Sequence, residues 1–202
     1  MKMPETLLSL SGADMTPPAL EEAVLILIDC QQEYIDGALA LPNAHVALQE
    51  AARMLEACRV AGSDIIHIAH KGQAGGLFDR SEGGKGAIAA LVAPKGDELI
   101  VEKGLPNAFA GTQLNTLLER LGKTNLILVG FMTHMCVSST ARAALDLGYR
   151  TTIVTEACAT RDLPGPEGTI IKADQLHQTC LAGLADRFSI LVPTHTSFAA
   201  AS

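Results

Sequence analysis

The feature that most restricts this chain is a series of short, almost wholly apolar runs, each separated from the next by a stretch with helical spacing. AVLILID, Ala23 to Asp29, is rich in branched residues and continuous rather than alternating, the pattern of a strand buried on both faces of a parallel sheet. Asp64 to Ala69, Glu98 to Val101, Asn125 to Val129, Thr151 to Thr155 and Ser189 to Val192 read as further strands. Asn43 can cap a helix that runs to about Ala61 and stops at Gly62, with Val46, Leu48, Met54, Leu55 and Cys58 for its buried side. Thr112 can cap a second, carrying Leu114, Leu117, Leu118 and Leu121 to Gly122; a third begins near Cys136 and ends at Gly148, and a fourth covers Gly168 to Leu184. Alternation of this kind gives right-handed βαβ units around a parallel sheet. The expectation is an α/β fold: a three-layer αβα sandwich, Rossmann-like, with a six-stranded, mostly parallel sheet.

At 202 residues, 48% of them hydrophobic, the chain fits one domain with a sizeable core. Residues 1–22, with Pro4, Pro17 and Pro18, read as an irregular arm ahead of a domain over 23–202. Residues 71–97 are rich in glycine and charge, with only Gly86 to Val92 suggesting a helical turn, and are the candidate for an active-site loop. The apolar runs fall well short of the roughly 18 residues that span a bilayer. No secretory signal is visible either, so a cytoplasmic location without membrane contact is expected. A net charge of −7 with no basic cluster argues against nucleic acid as a partner. Five cysteines at wide spacings, without a C-x-x-C pair, disfavour a disulfide framework and a zinc site alike.

In an open parallel sheet, ligands bind beyond the carboxyl ends of the strands. Asp29 closes strand one, Lys103 lies just beyond strand three, and Cys136 follows strand four through the loop GFMTHM. A thiol at a helix start sits beside unpaired N–H groups and the positive end of the dipole, which favours thiolate. A carboxylate can take the thiol proton, and a lysine can hold that carboxylate ionised and aimed. Ordinary readings compete: a small buried hydrophobe for any cysteine, which is accepted for Cys30, Cys58, Cys158 and Cys180; a turn cap for Asp29; a solvated charge beside Glu102 for Lys103. Placement of the three residues after three different strands favours catalysis.

LILIDCQQEY, VEKGLPNAFAGTQL and LVGFMTHMCVSSTARAALDLGY resemble, in order, the three signature segments of isochorismatase-like hydrolases, and the likeness extends over residues 22–193. The resemblance implies that family's fold and a triad of Asp29, Lys103 and Cys136. It also implies a cis peptide bond between Phe131 and Met132, with the backbone N–H groups of Met132 and Cys136 forming an oxyanion hole. The chemistry implied is hydrolysis of a C–N bond (amide, carbamoyl or lactam) in a small non-peptide molecule, through a thioester on Cys136 and without a cofactor. Assembly into a homo-oligomer, dimer or tetramer, is expected by the same analogy. A dinucleotide site is disfavoured directly, because no G-x-G-x-x-G follows strand one.

Nicotinamidases of this family carry a metal-binding D-x-H after the second strand, then another histidine. Here HIAHKGQ puts His70 and Gly72 at those places, so the set is incomplete, and His67 and His70 would lie on opposite faces of a strand. No metal is expected; His67 reads as a core or interface histidine and His70 as a pocket contact. Isochorismate hydrolases of the family typically lack the cysteine, so Cys136 points away from vinyl-ether cleavage. Tyr34, His70, Phe109, Phe131 and His134 are the candidate substrate contacts by their positions beside the signature segments. Arg161 and Asp162, after strand five, could form an ion pair or a subunit contact. The alternatives are a vinyl-ether hydrolase, a nicotinamidase and a non-catalytic binding paralogue.

Overall fold

The computed structural model describes residues 3–198. Along the chain come α1 (Leu7–Leu10), β1 (Ala23–Ile28), α2 (Glu33–Asp36), α3 (Ala44–Ala61), β2 (Asp64–His70), β3 (Leu99–Lys103), α4 (Leu114–Leu121) and β4 (Asn125–Phe131). They are followed by α5 (Ser138–Asp146), β5 (Arg150–Ala159), β6 (Leu163–Pro164), β7 (Ile170–Ile171), α6 (Ala173–Arg187) and β8 (Ser189–Val192). Six strands pair in the order β3-β2-β1-β4-β5-β8, all parallel, while β6 and β7 form a separate antiparallel pair. The direction of winding reverses between β1 and β4, and a sheet of this kind opens its ligand crevice there.

The alternation of β1 builds both cores. Leu25 and Leu27 belong to the apolar cluster that includes Ala47, Ala51, Met54 and Leu55 of α3, whereas Val24, Ile26 and Ile28 join Leu114 and Leu118 of α4, Ala141 and Ala144 of α5, and Leu181 and Leu184 of α6. All six residues of β1 are buried. Removing each large aliphatic chain from water is worth roughly 1.5–3 kcal/mol, so this strand anchors the three layers.

Several local expectations are corrected. Gly62 does end α3, in the left-handed region at φ 71. Asn43 stands at its N-cap, but the side chain donates to Asp174 Oδ1 at 3.0 Å instead of capping the helix, and Val46 faces outward. Helix α6 starts at Ala173 rather than Gly168, because Glu167 (φ 57) and Gly168 (φ 77) adopt left-handed backbone that no right-handed helix can include. β3 continues through Lys103, making that residue the end of the strand. The amino-terminal arm is not irregular throughout: α1 is tied to α6 by the Leu7 N–H on Asp186 Oδ1 (2.9 Å), and Arg150 Nη2 donates to the carbonyls of Asp14 and Thr16.

His67 is a core residue on the side of the sheet that carries α3. Its Nε2 is 2.9 Å from Glu98, whose carboxylate also accepts from Arg59 Nε at 2.7 Å and the Lys95 N–H at 2.9 Å. Burial alone would raise the Glu98 pKa, but the bonds from Arg59 and His67 outweigh it and hold the group at about 2. The folded value lies below the ordinary 4.5, so this carboxylate stabilises the fold above that pH and its contribution is lost as pH falls toward 2. Glu98→Gln is expected to flatten the decline of the thermal midpoint across that acid window. An unchanged decline would contradict this assignment.

Candidate active site

β1 delivers Asp29 to the switch point. The residue turns out of the strand with φ 51, a left-handed conformation that Asp tolerates better than most side chains, and its N–H donates to the Ile68 carbonyl at 3.0 Å. Its carboxylate is wholly buried, with Lys103 Nζ 2.7 Å from Oδ2 and the Cys136 side chain also hydrogen-bonded to it. Lys103 sits at the end of β3, paired in register with His70 of β2. The ammonium is also 3.4 Å from Cys136 Sγ and 3.3 Å from His70 Nδ1. A lysine has three N–H donors, and here three acceptors surround them.

Cys136 lies within a π-helical turn, Thr133–Val137, between β4 and α5. Gly130 makes that approach possible: at φ 117, a Cβ there would come 2.0 Å from the Ile28 carbonyl oxygen, so only glycine lets β4 run so close to β1. The Phe131–Met132 peptide bond is cis. Asp29, Lys103 and Cys136 are 0%, 3% and 3% exposed, so the site is closed to bulk solvent in this state.

That closure works against the helix start, which by itself favours thiolate. Burial pushes the Cys136 thiol up, the Asp29 charge adds to this, and Lys103 opposes both, leaving it at about 12. A helix terminus contributes only about 0.3–1 kcal/mol at an ordinary surface site, too little to offset desolvation of a sulfur anion. Burial likewise raises Asp29, against Lys103. The resting site therefore holds a thiol, and the thiol needs a base.

Of the expected substrate contacts, Tyr34 and His70 lie at the site. Tyr34 packs edge-on to Phe131 (5.7 Å between centroids) and to Phe78 (5.1 Å), and Phe78 also lies against His70 (4.9 Å). His70 is held below its ordinary pKa by burial and by Lys103, which leaves its Nδ1 free to accept from the ammonium. Phe131 is wholly buried and belongs to the core behind Tyr34. Phe109 stacks on Tyr149 at 5.8 Å, on the face of the sheet that carries α4, α5 and α6, apart from this aromatic group. His134 bonds the Thr160 hydroxyl through Nδ1 and leaves Nε2 buried without a partner.

Two contributors were not foreseen, and a third, Arg161, is expected from the sequence only as an ion-pair partner of Asp162 or a subunit contact. Gln31 is buried and clamps two segments at once: Nε2 donates to the carbonyls of His70 (2.8 Å) and Gly86 (2.6 Å), and Oε1 accepts from the His70 N–H. Phe78 closes the site from the glycine-rich loop, in left-handed backbone at φ 56, with its N–H on Glu33 Oε2. A lone aromatic in a polar loop was the available signal. The third is Arg161, whose Nε is buried and unmatched. Asp162 does not pair with it, but binds Lys172 Nζ and the Ala173 N–H instead, both at 2.8 Å. The Arg161 charge reaches Tyr34 and His134, opposing the rise that burial causes in the first and adding to the fall it causes in the second. At Gly72, a Cβ would meet the Leu77 carbonyl oxygen at 1.7 Å, so this loop has no room for a side chain there. Among the described residues, no three His, Cys, Asp or Glu side chains are grouped to hold a metal ion.

A doubly wound α/β domain with a thiol, an acidic side chain and an ammonium converging at its switch point has the architecture of a hydrolase. Residues 23–196 match the isochorismatase domain, and the chain belongs to the isochorismatase-like hydrolase family. An isochorismatase from Pseudomonas putida KT2440 superposes with a TM-score of 0.92 at 43% identity, covering 98% of this chain and 100% of that one. The secreted isochorismatase effector Isc1 of Verticillium dahliae is 37% identical over 186 residues, 91% of this chain and 94% of its own. A maleamate amidohydrolase from Pseudomonas putida is 28% identical over 166 residues, 74% of this chain and 78% of its own. No helix among the described residues is long and apolar enough to cross a membrane.

Proposed function

We propose that the chain is a cysteine hydrolase that opens a C–N bond of a small non-peptide amide, carbamoyl compound or lactam through a thioester on Cys136. The observation that carries this reading is the single ammonium of Lys103, which lies 2.7 Å from Asp29 and 3.4 Å from Cys136 Sγ inside a closed site. Asp29 takes the thiol proton as Sγ bonds to the substrate carbonyl carbon, and the carbonyl electron pair moves onto oxygen, where the N–H groups of Met132 and Cys136 receive it. As the carbonyl re-forms, the C–N bond breaks and the proton on Asp29 passes to the departing nitrogen, leaving an amine and a thioester. A water then gives its proton to Asp29 and attacks the thioester carbon, the C–S bond breaks, and the sulfur recovers a proton. Lys103 holds Asp29 in place and stabilises the transient thiolate.

Cleavage of a vinyl ether begins with protonation at carbon and gives a buried thiol nothing to do, so Cys136 favours acyl transfer. The unmatched Nε of Arg161 and Nε2 of His134 support an acyl group that carries a carboxylate, the chemistry of maleamate. Arg161→Met is then expected to raise KM for anionic amides by about 10–100-fold while leaving kcat near the wild-type value; equal effects on anionic and neutral amides would contradict this role. Free thiols at all five cysteines support a reducing, cytoplasmic setting; a small-molecule substrate, neither nucleic acid nor membrane, and a homo-oligomeric assembly are further parts of this proposal.

The test is product release from a panel of small amides, ureas, lactams, maleamate, nicotinamide and isochorismate, with Cys136→Ala as control. Amide turnover lost in Cys136→Ala is the expected result. Turnover of isochorismate that survives in Cys136→Ala, or failure across the whole panel, would overturn the reading.

A further inference from the structure

Helix α6 grips the first residue of the nucleophile turn at both of its polar ends. Thr133 opens the π-helical turn that contains Cys136 and is wholly buried. Its hydroxyl is 2.8 Å from His177 Nδ1, and its carbonyl oxygen accepts from the Cys180 thiol at 3.4 Å. His177 and Cys180 are three positions apart on α6, so they share one face of the helix. The next residue of the turn, His134, is held from the other direction by Thr160, after β5. A π-turn is an uncommon, isolated departure from α-helical bonding, and contacts from outside it decide its path.

We infer that His177 is a positioning residue for Cys136, acting through Thr133 to set the turn that fixes Sγ against Asp29 and Lys103. The inference rests on the nucleophile reading above. His177 is half-buried, at the rim of a surface cavity of about 430 Å³ that Asn43, Thr155 and Glu156 also line, so its replacement leaves no hole in the core. Displacement of a reacting group by about 1 Å can cost about a hundredfold in rate. Loss of one hydrogen bond in a turn held at several points should cost less, about three- to tenfold.

The experiment uses the full chain and iodoacetamide, itself a small amide, with the alkylation rate of the Cys136 peptide read by mass spectrometry. Cys58, wholly buried in the core, monitors unfolding in the same sample. His177→Phe and Thr133→Val are each expected to slow Cys136 alkylation by about three- to tenfold, the double variant no further than the slower single one. His177→Asn keeps a hydrogen-bonding group on the helix and is expected to recover most of the rate. A rate in His177→Phe equal to or faster than wild type, additive effects in the double variant, or no recovery with asparagine overturns the inference alone. Wild-type Cys136 reacting no faster than Cys58 would remove the nucleophile reading, and this inference with it.

Discussion

Cys136→Ala should lower turnover by at least about a thousandfold while leaving the fold in place. Removing the nucleophile of a catalytic triad costs about three to six orders of magnitude in comparable hydrolases, the remainder coming from substrate positioning and the oxyanion hole. No other thiol can substitute. Cys30 follows Asp29 directly in the chain, yet it is buried, its Sγ is turned back toward the Ile28 carbonyl, and burial holds its pKa well above the ordinary value. Structurally the change is small, since Cys136 Sγ is one of three acceptors around Lys103 and the other two remain. Measured kcat with a substrate from the amide panel, together with an unchanged far-ultraviolet circular dichroism spectrum, checks both halves. Turnover within tenfold of wild type would assign the chemistry to another group.

Lys103→Met should be the most destabilising change in the site, by about 3–5 kcal/mol near neutral pH, because it leaves the Asp29 carboxylate buried and unpaired. The sign of its pH dependence follows from burial. Asp29 already has a raised pKa in the fold, and Lys103 is the largest influence opposing that rise, so removing it drives the value higher still. A carboxylate whose folded pKa exceeds its unfolded one stabilises the fold while protonated and withdraws that contribution as pH rises through the folded value. The deficit of Lys103→Met against wild type should therefore be small at about pH 4 and full at about pH 8. Urea unfolding at both pH values reads this directly. Equal deficits at the two would mean that the lysine acts through packing alone.

Much of this arrangement was legible in the chain because parallel-sheet geometry is so restrictive. A continuous apolar strand has one carboxyl end, and the residues just past three such ends must share an edge; Asp29, Lys103 and Cys136 follow from that logic, and the signature segments reinforce it. Residues whose position depends on distant loops were not legible. Gln31 acts through Gly86, 55 positions away, and Phe78 reaches Tyr34 only because the glycine-rich loop folds back over β2. Arg161 was read with its sequence neighbour Asp162, but the start of α6 competes for that carboxylate and wins through Lys172 and Ala173. The weight of burial on the Cys136 thiol was not legible for a related reason: a helix dipole can be inferred from sequence, whereas the depth of burial that outweighs it depends on how Tyr34, Phe78 and His70 close the site.

In the proposed mechanism an acyl group rests on Cys136 between two half-reactions. Enzyme mixed with a turned-over amide, quenched in acid within milliseconds and digested, should yield the Cys136 peptide heavier by the acyl group, with the adduct discharged by hydroxylamine and absent from Cys136→Ala. An acyl adduct on Cys30, or steady turnover with no adduct on any cysteine at any quench time, would contradict it.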